Sequence, residues 1–211
     1  MADQLSPAHV QRWIHGFIDA VEEEVDHLTD LDRRSGDGDF GTNMVSALRR
    51  SREAMADADV ATAGILFQIM SETFLAHSGG TSGPLFGMWF REFGKTGMVA
   101  EAFTQEMLAE ATANGRATVT RLGSAQEGDR TMVDAIAPAE RALREAVESG
   151  SELKEGLRAA AQAAHEGARH TSDLLGRRGR TSYVGEAALG SPDPGAVTIA
   201  MFYQAAQRST D

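Results

Sequence analysis

The chain has 211 residues, 42% of them hydrophobic, a size most simply read as one domain over 1–211 that buries roughly two thirds of its unfolded surface. A formal net charge of -11 disfavours a nucleic-acid surface, which needs lysine and arginine set against phosphates, and the lack of cysteine excludes disulfides, thiolate metal sites and cysteine nucleophiles. No run of about 18 apolar residues and no basic-apolar-small start is present, so a soluble, cytoplasmic protein without membrane spans is expected.

Ser6-Pro7 offers an N-cap with proline at the first helical position, and Val10, Trp13, Ile14, Phe17, Ile18, Val21 and Val25 recur at helical spacing. They predict a helix to about His27 with Trp13 in the core. An Asp/Gly-rich stretch from Thr29 to Met44 follows, in which a glycine-broken loop can fold Asp32, Asp37 and Asp39 onto one point. Crowded carboxylates repel unless a cation sits between them, and hard oxygen ligands suit magnesium on a phosphorylated substrate. A solvated acidic connector is the competing reading.

Asn43 is read as the cap of a second helix carrying Met44, Ala47, Leu48 and Met55 to about Ala56, which sets Gly41-Thr42-Asn43 at a phosphate-favouring helix N-terminus. A third helix is expected from Asp59 to about His77. Ser78 to Pro84 ends it. There Thr81 and Ser82 supply hydroxyls, and the glycines serve either ligand approach or a tight turn between close-packed helices. No Gly-Lys-Ser/Thr ending makes this a Walker A loop. Pro84 restarts a helix through Phe93, Gly94 to Gly97 breaks it, and another runs from about Val99 to a stop at Asn114-Gly115.

Arg116 to Arg121 reads as an irregular or helical connection. After the Gly123–Arg130 loop, Asp129 or Thr131 caps a helix with Met132, Ile136, Leu143 and Val147 on one face to about Glu148. An alanine-rich helix from Ser151 to about Leu174 is weakest near Gly167. None of His9, His15, His27, His165 and His170 has zinc-ligand spacing. The basic run with Arg177, Arg178 and Arg180 either pairs with ligand phosphates or offsets neighbouring acids. Asp193 then caps a proline-started last helix through Tyr203. The total is about eight helices with no β-α-β pattern, so the expected fold is all-α: a closed antiparallel arrangement with loops at its ends available for a site.

Five ordered motifs carry a resemblance: Leu31 to Asn43, Gly79 to Gly87, Glu127 to Asp134, Gly179 to Glu186, and Asp193 to Ala196. Together they resemble the nucleotide-binding L subunit or domain of dihydroxyacetone kinases. The resemblance implies an eight-helix antiparallel barrel holding ADP or ATP at one end through two magnesium ions. It places the metal aspartates on Asp32, Asp37 and Asp39. Nucleotide contacts carry over onto Phe40, Gly41, Thr42, Asn43, Thr81, Ser82, Gly123, Met132, Arg180, Asp193, Pro194 and Gly195, with Met132 at the adenine. Many relatives have histidine where this chain has Phe40.

The family also implies partners. A K subunit holds dihydroxyacetone covalently, and in phosphotransferase-linked systems a phosphohistidine-bearing M subunit rephosphorylates an ADP that stays bound. At 211 residues the chain accommodates an L unit and no substrate domain, so it is expected to be one component of a three-protein relay with no catalytic nucleophile of its own. An ATP-dependent triose or tetrose kinase subunit and a non-catalytic helical nucleotide sensor are the alternatives. An EF-hand fails because Thr42 and Leu48 stand where glycine and a bidentate glutamate belong. A fatty-acid kinase domain shares the Asp-Gly-Asp-x-Gly-Thr-Asn loop, but the other four motifs and the length count against it.

Overall fold

A computed structural model describes residues 4–210, and among them no strand occurs. Ser6 caps α1 (Pro7–Glu23), its hydroxyl accepting the His9 N–H, and Val10, Trp13, Ile14, Phe17, Ile18 and Val21 form one buried stripe. The helix stops at Glu24 rather than His27, and α2 (Val25–Arg33) follows at once, burying Leu28, Thr29 and Leu31. The apolar spacing thus continues into the stretch expected to be loop, so Asp32 rides on the last turn of a helix. Next, α3 (Phe40–Ala56) begins three residues before the expected cap Asn43.

Glycines account for most other differences from the sequence reading. The connection through Gly64 delays α4 (Ile65–His77), because Gly64 lies against the backbone of Gly97 and donates its N–H to the Gly97 carbonyl at 3.0 Å. Thr81 precedes α5 (Ser82–Gly97), which runs straight through Gly94, where a Cβ would press on Gln68 at 3.1 Å. Likewise α6 (Gln105–Gly123) passes through Asn114-Gly115 and takes in Arg116 to Arg121. Gly115 faces the Trp89 indole, which a Cβ would strike, so this glycine is a packing notch and not a stop. α7 (Val133–Ser149) and α8 (Leu153–His170) are joined by a short turn, and Gly167 sits unbroken in α8 where the Asp134 carbonyl and Pro138 press close. The excursion that follows holds only a 3-10 turn (Thr171–Asp173), the four-residue α9 (Thr181–Val184) and a second 3-10 turn. Asp193 then caps α10 (Pro194–Arg208), accepting the Ala196 N–H at 2.8 Å.

Eight of these helices are long, and each packs on its neighbours: α3 on α1 and α4, α5 on α4 and α6, α7 on α6 and α8, and α10 on both α8 and α1. Phe202 is at the centre of the core, its ring 4.6 Å from both Trp13 and Trp89 and 5.4 Å from Phe17 and Phe93. Trp13, the expected core residue, is fully buried and donates its indole N–H to the Phe202 carbonyl at 2.8 Å. Aromatic pairs of this kind contribute about 0.5–1.5 kcal/mol each beyond their buried area. This core unites α1, α4, α5 and α10 and leaves the α2–α3, α4–α5, α6–α7 and α8–α10 connections for one cavity.

Candidate functional site

Asp32 enters from the end of α2, and the following turn, with Gly38 at a φ of +78°, brings Asp37 and Asp39 beside it. One carboxylate oxygen from each lies within 4.8 Å of the others. Asp32 Oδ2 accepts the backbone N–H groups of Gly38 at 2.9 Å and Phe40 at 3.2 Å, which fixes its orientation. A Cβ at Gly36 would collide with that carboxylate, so glycine is required by the close approach. Arg180, from the α8–α10 excursion, pairs with Asp37. Three hard, mostly exposed carboxylates converging in this way are a donor set suited to a divalent cation such as Mg2+.

The cluster stands at the edge of a cavity of about 190 Å³. Met44, Leu85, Phe86, Val119 and Met132 give it apolar walls, while the Ser78–Gly83 turn, Arg178 to Thr181 and Asp193 to Gly195 give it polar ones. Of the residues singled out from sequence, Asp32, Asp37, Asp39, Phe40, Asn43, Thr81, Ser82, Gly123, Met132, Arg180, Asp193, Pro194 and Gly195 all line this space. Gly41 and Thr42 do not. Gly41 is buried against the Val25 carbonyl and Thr29, and the exposed Thr42 spends its hydroxyl on the Asp39 carbonyl at 2.9 Å. Phe40 is buried, its ring 6.3 Å from that of Phe86, so it belongs to the apolar wall.

The sequence left Arg130 unassigned and gave Arg178 either a phosphate or a neighbouring acid as partner, and both line the cavity. Arg178 donates to the buried Asp129 carboxylate at 3.0 Å. Arg130, itself buried, donates through Nε to the Thr171 carbonyl at 3.1 Å and through Nη2 to the carbonyls of Ala188 at 2.8 Å and Ser191 at 2.6 Å. Arg130 lies inside one of the five motifs, which was the available signal. Its partners are backbone atoms far along the chain, which no spacing rule reveals.

Burial pushes the Asp193 carboxyl up to about 7, against the Ala196 N–H and the Arg130 charge, with Asp134 and Asp32 adding to the rise. Asp134 is also raised, chiefly by burial, although its oxygens accept the N–H groups of Thr131 at 2.8 Å and Gly128 at 2.5 Å. Burial lowers Arg130, and Asp193 opposes that shift. The cavity lining thus combines acids and guanidinium groups, among them Asp32, Asp37, Asp39, Asp193, Arg130 and Arg180, with apolar side chains such as Met44, Phe86 and Met132. Such a site suits a ligand with an anionic end and a flat apolar end.

The family described as DAK2 domain matches residues 34–208. The chain is 34% identical over 203 residues to the PEP-dependent dihydroxyacetone kinase, ADP-binding subunit DhaL, of Escherichia coli (strain K12), covering 95% of each. It is 31% identical over 194 residues to the corresponding ADP-binding subunit of dihydroxyacetone kinase 1 from Listeria innocua, covering 92% of each. Among solved structures, the dihydroxyacetone kinase from C. freundii in complex with AMP-PNP and Mg2+ superposes with a TM-score of 0.72 at 29% identity. That match covers 96% of this chain, which spans 33% of the C. freundii chain.

Proposed function

Because the chain belongs to the DAK2 domain family, we propose that it is the nucleotide-binding subunit of a dihydroxyacetone kinase. It presents the phosphoryl group of a magnesium-bound nucleotide to dihydroxyacetone held on a separate K subunit. ADP stays in place as a coenzyme and is recharged by a phosphohistidine-bearing M subunit. The observation that carries this reading is the convergence of Asp32, Asp37 and Asp39 in a cavity that is also lined by Met44, Leu85, Phe86 and Met132. Support comes also from relatives matched over 95% and 92% of both chains, which are named as ADP-binding subunits. Residues 1–211 act as one such unit in the cytoplasm. The eight long helices close into an antiparallel barrel, with the site at one end.

Asp32, Asp37 and Asp39 would hold the magnesium, two ions in this reading. Bound there, magnesium neutralises phosphate oxygens and so stabilises the charge that moves during phosphoryl transfer. The chain's residues do the rest. Arg180, paired with Asp37, lies where a guanidinium can meet phosphate oxygens. Ser82, in the first turn of α5, lines the cavity and offers its hydroxyl and the positive end of that helix to the anionic part of the ligand. Met132 offers the adenine a polarisable apolar surface. Gly195 keeps the backbone near, since a Cβ there would stand 3.0 Å from Asp193 Oδ2 and 3.5 Å from Met132.

No histidine, cysteine, lysine or tyrosine lines the cavity among the described residues. With Phe40 in the apolar wall, no imidazole lines the site among the described residues, and the proposed acceptors and donors of the phosphoryl group are groups on the partner proteins. Native mass spectrometry of protein purified without added nucleotide tests this. An ADP mass that departs on magnesium chelation is the expected result. Protein that arrives empty and then binds ADP no better with Mg2+ than without overturns the coenzyme reading.

A further inference from the structure

Between α8 and α10 the chain makes an excursion, residues 174–192, that delivers Arg178 to Thr181 to the cavity wall. Its large apolar side chains Leu175, Tyr183 and Leu189 remain 48%, 90% and 43% exposed, and among its described apolar residues only the small Ala188 is fully buried. Its attachments are polar, and most of them converge on two consecutive residues of the α6–α7 connection, Asp129 and Arg130, each 1% exposed.

Asp129 takes the outgoing limb. Its carbonyl accepts the Arg177 N–H at 3.1 Å, and its Oδ2 accepts Arg178 Nε at 3.0 Å. The same oxygen accepts the Gln126 N–H at 3.1 Å, so the carboxylate is fixed within its own loop. Arg130 takes the returning limb through Ala188 and Ser191, and it reaches the end of α8 through Thr171. Thr171 in turn receives the Asp193 N–H on its hydroxyl at 2.7 Å. Arg130 adopts a φ of +61°, a left-handed conformation that favours glycine. An arginine is accommodated there because its rigid planar fork donates through Nε and Nη2 to three carbonyls at once, while its buried Nη1 has no partner; a lysine ammonium on a flexible stem does not reproduce that set.

We infer that Asp129 and Arg130 are a positioning pair that anchors the two limbs of this strap, and that through Arg180 and Asp193 they set how long the nucleotide stays bound. The second half of this statement rests on the nucleotide reading above; the anchoring does not. The bound coenzyme must survive many cycles, so the strap's local opening is the step that would release it.

Hydrogen exchange of the ligand-free chain, followed by stopped-flow release of ADP in the presence of Mg2+, tests both halves with two variants. Arg130→Lys should speed exchange in 174–192 at least tenfold while α1 to α6 keep wild-type protection, and should release ADP at least tenfold faster. Arg178→Ala, at a side chain 44% exposed, should retain the fold and accelerate exchange in the same segment several-fold. If Arg130→Lys does not fold, Arg178→Ala decides. Exchange in 174–192 at the wild-type rate in Arg178→Ala, or acceleration spread evenly over all helices, overturns the anchoring. Faster exchange with unchanged ADP release overturns the link to retention. Wild-type protein that binds no ADP sinks the nucleotide reading, and the exchange pattern still decides the anchor.

Discussion

Asp32, on the last turn of α2, accepts the backbone N–H of Phe40, the first residue of α3, at 3.2 Å. The residue in the N-cap position of α3, Asp39, makes no capping bond with its own side chain, so a carboxylate from the preceding helix satisfies a first-turn donor instead. Asp39 is thereby left free to point at the same site as Asp32 and Asp37.

This arrangement separates two roles of Asp32 by substitution. Asp32→Asn retains an acceptor for Gly38 and Phe40 and should change stability by less than about 1 kcal/mol, whereas Asp32→Ala leaves both donors unmatched and should cost about 1–3 kcal/mol. Both should lose Mg2+-dependent ADP binding. Urea unfolding and calorimetry read the two effects, and equal stability losses in the two variants would contradict the capping role.

Asp37 makes no such backbone bond, and its observed partner is Arg180. Asp37→Asn should therefore leave the melting temperature nearly unchanged and still abolish magnesium-dependent nucleotide binding. Undiminished ADP affinity by calorimetry would remove Asp37 from the metal set.

The titration of Asp193 gives a pH prediction for the ligand-free chain. Its folded value is raised from 3.8 to about 7, so between about pH 4 and 7 the unfolded chain gives up this proton while the folded chain keeps it. The contribution of this residue to stability is then largest below pH 4, declines as pH rises to 7, and is flat above. Asp193→Asn preserves an N-cap acceptor and removes the titration, so its stability relative to wild type should improve by roughly 2–4 kcal/mol from pH 4 to pH 8. Parallel stability profiles for the two proteins would show that Asp193 ionises normally.

Gly115 makes a prediction about packing. Gly115→Ala gains helix propensity of about 1 kcal/mol but drives a methyl into the Trp89 ring, so a net loss of about 1–2 kcal/mol is expected. Thermal unfolding should fall by a few degrees, with ADP affinity per folded molecule retained. A variant more stable than wild type would mean that α5 and α6 shift apart at little cost.

Much of this protein was legible in its sequence because the relevant signals are local. The Ser6-Pro7 and Asp193-Pro194 caps, the stripe from Val10 to Val21, and the aspartates of the second connection depend on residues a few positions apart, where helical period and charge crowding act directly. That the helices run through Gly94, Gly115 and Gly167 was not legible, since a glycine that ends a helix and one that admits a neighbouring helix look alike until the neighbour is present. Composition and spacing determined an all-helical chain with an acidic, glycine-broken loop. Only the tertiary structure decided that this loop shares one cavity with Met132, Arg180 and Asp193, and that Arg130 ties the α8–α10 excursion in place, because its contacts join a side chain to backbone carbonyls brought near by the packing of α7, α8 and α10.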